Sequence, residues 1–332
     1  MAITSASNIQ VYNDQVRNAY AERVAKAING FYAKAGGCIL LRDAAVPGDY
    51  LKQSFFKMPS GLVSRRITTG TGYDSDVTPI TVEQGENAAV RLSRKIGPVE
   101  MTDDSLRKIL ASPEEFSVWL GEMAGDAVLE AQISDVLTAL VGALNRSPYL
   151  KDISADTGDS SLNRTALAGG LALLGDRAQD VACWIMHSKP YFDLVNKDLN
   201  PSTSVDALVG NVGLFGGSPA TLGRPVIVID DASLVLDATT DKYYTLGLTG
   251  GAAEVTADTQ LSDLLVERVG GKENIRTRIQ GERDWFLRLK GFTWDTATGG
   301  ANPAAAALAT ATNWDASSTS AKDRAGVCIK ST

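Results

Sequence analysis

Several stretches of this sequence carry residue types that chemistry requires. Asp156-Thr157-Gly158 is the triplet that presents the paired carboxylate of aspartic proteases. That chemistry needs the Asp at the end of a rigid apolar strand. Here Lys151, Asp152, Ile153, Ser154 and Ala155 precede it, so the triplet reads as a polar turn. "VIVIDD" ends in Asp230 and Asp231, an arrangement that holds Mg²⁺ in phosphate-loop enzymes. The role needs a phosphate cradle of the GxxxxGKS/T type, and "VGGKEN" is too short and lacks the hydroxyl. His187 is the only histidine, which excludes a multi-histidine metal site and leaves no spare base for a Ser or Cys triad. It reads as a hydrogen-bonded structural residue. Gly-rich runs at 210–217, 247–251 and 299–300 contain no GxGxxG after a strand and read as loops. No catalytic, cofactor-binding or metal-ligating residue is therefore assigned, and no cofactor is expected.

Three cysteines, Cys38, Cys183 and Cys328, are widely spaced with no CxxC, so a disulfide framework is not expected. Cys183 in "DVACWIM" reads as a buried, inert thiol. With 44% apolar and 21% charged residues, the 332-residue chain has the composition of a folded protein with a sizeable core. A net charge of −7 argues against general adhesion to nucleic acid or an anionic membrane. No uninterrupted apolar run reaches the ~20 residues of a membrane span. The first residues lack a signal-peptide pattern, and synthesis in a reducing cytoplasm is the expectation.

The elements that would position side chains follow from periodicity. Val16, Tyr20, Val24, Ala27, Ile28 and Phe31 make one stripe on a helix that ends at Gly36-Gly37. Residues 59–101 are rich in Thr, Val, Gly and charge and predict a long β-hairpin or extended loop without a core of its own. Thr102 is placed to cap a short helix. Ser112, Pro113 and Glu115 then open a long one that keeps three-four apolar spacing to Asn145. A helix capped by Ser160 or Ser161, the strand "VACWIMHS", a helix starting at Ser188 and a strand over Val226–Ile229 alternate as in an α/β unit, roughly 155–270. In "RDWFLRLKGFTWD" (283–295), Trp285, Leu287 and Leu289 line one strand face. The phase slips at Gly291, which predicts a bend or bulge. The other face carries Phe286, Arg288 and Lys290, and its partner is left open. The tail from 302 onward is rich in Ala, Thr and Ser and offers little core.

Three elements thus lack burial of their own: the N-terminal helix, the hairpin and the tail. A building block whose extensions complete its neighbours in a closed assembly accounts for all three. Candidate inter-subunit contacts are Tyr20 and Phe31 on the first helix, the basic pairs Arg65–Arg66 and Arg94–Lys95 on the hairpin, and Phe292 and Trp294 beyond the bend. A charged edge that blocks aggregation is the other reading of the basic pairs.

"CWIMHSKPYFDLV" (183–195), "LGRPVIVIDDA" (222–232) and "GERDWFLRLKGFTWD" with "GANPAAAALATATNWD" (281–315) resemble major capsid proteins of tailed bacteriophages. The order of segments is similar as well. The resemblance implies an α+β fold of the Hong Kong 97 type, divided as N-terminal arm (1–36), link (37–54), extended loop (55–100), peripheral domain with a spine helix (101–154), axial α/β domain (155–270) and returning peripheral strands with tail (271–332). It implies a structural, non-enzymatic virion protein. Made in the host cytoplasm, it would self-assemble as pentamers and hexamers into an icosahedral head around double-stranded DNA. A portal and, in some such proteins, scaffolding or decoration proteins would be its partners, with no membrane. Some such proteins crosslink a loop lysine to a neighbour; Lys57 and Lys95 lie in that segment, and neither is assigned the role. An encapsulin-like shell is the alternative with the same fold. A tail or decoration protein, or a monomeric hydrolase with a pocket at His187 or Asp156, are the more distant ones.

Overall fold

The computed structural model describes residues 19, 20, 23, 36–45, 48–57, 61–102, 104, 105, 108, 113–156, 159–199, 221–236, 241–258, 264–271, 273–318 and 320–332. Most of the expected N-terminal helix, Phe31, Ser112, Thr157-Gly158 and the Gly-rich run at 210–217 lie outside these residues.

Two sheets flank one long helix. The first contains β1 (Ile39–Ala44), β2 (Tyr50–Phe56), β3 (Gln84–Thr102), β9 (Ala253–Asp258), β10 (Leu264–Val269) and β11 (Arg276–Leu289). Its order is β1-β9-β11-β3-β2, with β10 pairing the other end of β11. The helix α1 spans Pro113–Leu144, 32 residues, or about 48 Å at ~1.5 Å per residue. The second sheet has the order β4-β14-β8-β5-β6, with β7 (Val235–Leu236) beside β8. Its strands are β4 (Leu150–Asp152), β5 (Val181–Met186), β6 (Val226–Val228), β8 (Lys242–Thr249) and β14 (Gly326–Ser331). Helices α2 (Arg164–Ala172) and α3 (Ser188–Leu199) belong to this half, and β12 (Phe292–Trp294) pairs with β13 (Trp314–Ala316) separately.

The continuous apolar run of β5 reflects burial on both faces. Cys183 and Ile185 join the core around α1, while Trp184 and Met186 join the core under α2 and α3. β14 divides the same way, with Cys328 toward α1 and Val327 and Ile329 toward α2. α1 is buried on every side through its last turns, because it serves both sheets. Its stretch Val118–Leu144 has the length and hydropathy of a membrane span, with 72% of the most apolar window buried in this chain. Interspersed acidic and small residues hide that stretch from a search for uninterrupted apolar runs.

Several expectations are corrected. α2 is capped by Asn163, whose side chain accepts from the Ala166 N–H; Ser161 instead bonds Asp159, and Ser160 bonds Thr332. The slip at Gly291 is a full break rather than a bulge. Lys290 and Gly291 form a turn, Gly291 adopts φ 73°, and β12 leaves the first sheet. The hairpin is paired only at its stem, Tyr50–Phe56 against Gln84–Val90, and Thr78–Val82 is not a strand. β3 is no marginal ribbon, since it runs between β2 and β11 inside the sheet.

The tail is corrected most. β14 lies between β4 and β8, and Leu308 and Trp314 are fully buried in the core with α1. The expected 155–270 unit is likewise redrawn: β9 and β10 cross to the first sheet, while β4 and β14 complete the second.

The open face of β11 finds its partners within the chain. Arg91 lies over the Phe286 ring at 5.8 Å and donates to Asp284 at 2.8 Å. Arg288 reaches Glu254 and, at 2.7 Å, Gln53. Lys290 donates to Thr249 and to the Gly250 carbonyl, both at 3.2 Å.

Candidate assembly surface

The residues first weighed for chemistry prove to be local supports. Asp230 accepts from the Ser188 N–H at 2.9 Å and so closes the first turn of α3. His187 Nε2 lies 3.5 Å from the same carboxylate. Hydrogen bonds from Ser188, reinforced by His187, hold the Asp230 carboxyl below its ordinary range. Asp231 accepts from the Ser233 N–H at 2.8 Å and caps the turn that follows. Asp156 sits exposed in a turn closed by its own N–H to Ile153 O. Both aspartates of "VIVIDD" are thus engaged as caps. Among the described residues no group of three or more His, Cys, Asp or Glu side chains is placed to hold a metal ion.

The loop between β2 and β3 is different in kind. At its base Lys57 donates its N–H to Glu83 O at 2.8 Å, and Ala88 donates to the Thr293 hydroxyl at 2.9 Å. Ala88, Val90 and Leu92 are buried in the main core, so the stem is anchored. Over residues 61–83 the loop carries two tight turns, closed by Tyr73 N–H to Gly70 O and Ser75 N–H to Gly72 O, and among these described residues no strand. Its apolar side chains face outward: Phe56 is 72% exposed, Val63 94%, Tyr73 70% and Val77 87%. Several such residues in one segment, without a core of their own, are the signature of a surface completed by a partner. Arg65 and Arg66 project from this segment and are exposed.

The other expected contacts divide. Lys95 is exposed on β3, opposite Glu282 of β11. Arg94 is drawn inward instead. It grips both carboxylate oxygens of Asp135 on α1 at 2.9 and 3.0 Å and lies 5.9 Å from the Trp285 ring centre. Burial raises the Asp135 pKa above its ordinary value, and Arg94 opposes that rise. Tyr20 is buried in the chain's own core beside α1. Phe292 and Trp294 are also buried there. Phe292 packs edge-on against Tyr149 at 5.6 Å and lies beneath Arg146 and Arg324 at 5.5 and 5.7 Å. Trp294 meets Trp314 edge-on at 4.8 Å. Arg94, Tyr20, Phe292 and Trp294 therefore have partners within the chain, and Trp294 holds the tail through Trp314. Their partners are distant in sequence, and nothing local signals them. Phe31 lies outside the described residues.

Arg146 was not singled out from sequence. It donates to Ala311 O at 2.9 Å and to Trp314 O, and so ties the end of α1 to the tail. Its position just past a long helix is the one signal available.

Comparison with known proteins gives a consistent result. Residues 8–328 match the model of a family described as Gp13-like, major capsid protein 13-like. A search among curated proteins found no match. Among solved structures, the capsid of Ralstonia phage GP4 is similar with a TM-score of 0.52 at 10% identity, covering 91% of this chain and 90% of that one. The acidic stable capsid structure of Helicobacter pylori bacteriophage KHP30 gives 0.52 at 8% identity, over 91% and 90%. At such identities the likeness concerns the fold, which is α+β of the Hong Kong 97 type.

Proposed function

The chain belongs to the Gp13-like major capsid protein family, and from that premise we propose how it builds a shell. Its role is structural, as a component of the virion capsid formed by copies of itself. In the proposed arrangement the copies assemble as pentamers and hexamers into an icosahedral head around double-stranded DNA. The first sheet with α1 serves as the peripheral body. The second sheet with α2 and α3 serves as the axial body, pointing at the symmetry axes. The loop between β2 and β3 lies across a neighbouring subunit, with Arg65, Arg66 and Lys95 meeting acidic surface there. DNA is contacted without sequence preference, as a net charge of −7 favours containment over tight grip. A portal, and scaffolding or decoration proteins where the head needs them, complete the set of partners. Synthesis takes place in the host cytoplasm.

One observation carries this reading: a loop with outward apolar side chains rises from a stem fixed in the core. Replacing residues 61–82 by a short Gly-Ser linker tests it. The trimmed subunit is expected to keep the circular dichroism and urea midpoint of the parent yet to give no particles by electron microscopy. Particles of normal shape from the trimmed chain would refute the loop's assigned role. Nuclease-protected DNA inside parent particles, as opposed to protein cargo, separates a phage head from an encapsulin-like compartment.

A further inference from the structure

We propose that Cys38 and Cys183 form an intrachain disulfide when the protein meets peroxide, stapling the first sheet to the second. Cys38 stands at the entrance to β1, where its carbonyl accepts from the Ala253 N–H at the start of β9. Cys183 lies in β5, opposite Leu248 of β8, and the β5–β8 register shifts beside it between Val181 and Cys183. The chain passes from β8 of one sheet to β9 of the other at this point, and both sulfurs are buried at the crossing.

The two sulfur atoms are 2.6 Å apart, and the Cys38 thiol also faces Leu248 O at 3.7 Å. A disulfide bond measures ~2.05 Å, so closure needs only about half an ångström of movement. The remaining cysteine is separate. Cys328 is buried in β14 with no cysteine partner among the described residues. Hydrogen bonding between the two thiols lowers the Cys38 pKa and so favours its thiolate.

The chemistry balances with hydrogen peroxide as oxidant. The Cys38 thiolate attacks one peroxide oxygen; an S–O bond forms, the O–O bond breaks and hydroxide leaves. The Cys183 sulfur then attacks the Cys38 sulfur. The S–S bond forms, the S–O bond breaks, and the departing hydroxide takes the thiol proton to give water. Two thiols are oxidised, and one peroxide is reduced to two waters. The bond closes a loop between positions 145 apart in the chain and opposes sliding of one sheet over the other.

The test uses the full chain as purified. One portion is treated with hydrogen peroxide and another with dithiothreitol. Each is quenched with excess alkylating agent in urea, digested without reduction and mapped by mass spectrometry. The expected result in the peroxide portion is a peptide linking Cys38 to Cys183, with Cys328 recovered alkylated. Recovery of Cys38 and Cys183 as alkylated thiols, as sulfinic acids, or linked to Cys328 would overturn the proposal. No variant is required, so a folding defect cannot obscure the outcome.

Discussion

Two glycines inside helices separate the tail's intrachain packing from every local effect. Gly142 lies in the last turns of α1, and a Cβ built there would sit 2.4 Å from Leu308 O, 2.8 Å from Ala309 C and 2.9 Å from Ala309 Cα. These are backbone atoms of the segment holding α4 (Ala305–Leu308), which cannot swing away as a side chain tip can. Gly169 lies inside α2, and its Cβ would meet only the flexible Lys151 side chain, at 3.4 Å and beyond. Alanine at either site gains up to about 1 kcal/mol of helix propensity. At Gly142 the overlap forces a backbone shift, and overpacking of that kind costs about 1–3 kcal/mol. Gly142→Ala is therefore expected to be destabilised by about 0–2 kcal/mol net, while Gly169→Ala is stabilised by about 0.5–1 kcal/mol. Urea unfolding of unassembled subunits, followed by tryptophan fluorescence, measures both. Equal shifts of the same sign would mean that the tail does not lie against α1 in its own subunit.

Arg94→Ala leaves the Asp135 carboxylate, 11% exposed, without its cation and is expected to cost about 2–4 kcal/mol in urea unfolding. Adding Asp135→Asn should recover much of that loss, and a cost below about 0.5 kcal/mol for Arg94→Ala would count against an inward role. Glu100 is held below its ordinary pKa by hydrogen bonds from Arg278 and then Arg276. Its contribution is present above the unfolded value of 4.5 and fades as pH falls through the lower folded value. Urea midpoints of parent and Glu100→Gln should therefore differ at pH 6 and converge in acid, whereas a gap independent of pH would refute the assignment. Arg65→Glu with Arg66→Glu is expected to lower particle yield at least several-fold while leaving the subunit's urea midpoint unchanged; unaltered yield would remove both from the contact surface.

What could be read from sequence follows the range of the interactions. α1 was legible because its apolar spacing repeats over Leu120, Ala127, Val136, Leu140 and Leu144, and Pro113 marks its start. β5 was legible as a buried strand from one apolar run. The loop's want of a core showed in composition alone. Arg94 and Arg65 look alike in sequence, because only the fold brings Asp135 of α1 beneath one and leaves the other exposed among the described residues. The tail failed for the same reason. Its large apolar residues are few, and β14 owes its burial to β4 and β8, whose pairing positions lie near 150 and 245. The phase slip marks the bend at Gly291, but a bulge and a sheet change give the same local pattern, so the departure of β12 from the sheet is not legible.

The interlaced C-terminal segment narrows what a subunit can offer its neighbours. With β14 in the middle of the second sheet, and Leu308 and Trp314 beneath α1, the tail is committed to its own chain. Extending it to a neighbour would break β14 from both β4 and β8. The loop between β2 and β3 carries no such cost, because its stem pairs at Tyr50–Phe56 and the described residues 61–83 make no strand bonds. β3 then continues from Gln84 to Thr102 and pairs with β11 over Val90–Thr102, with one register shift where Gly97 and Pro98 lie opposite Gln280. A load applied at the loop reaches β11 through backbone hydrogen bonds, and α1 through Arg94 and Asp135. The subunit thus joins an exposed loop to its buried strands and its long helix. In a closed shell, where each copy must both hold a neighbour and resist distortion, that connection is the mechanical requirement.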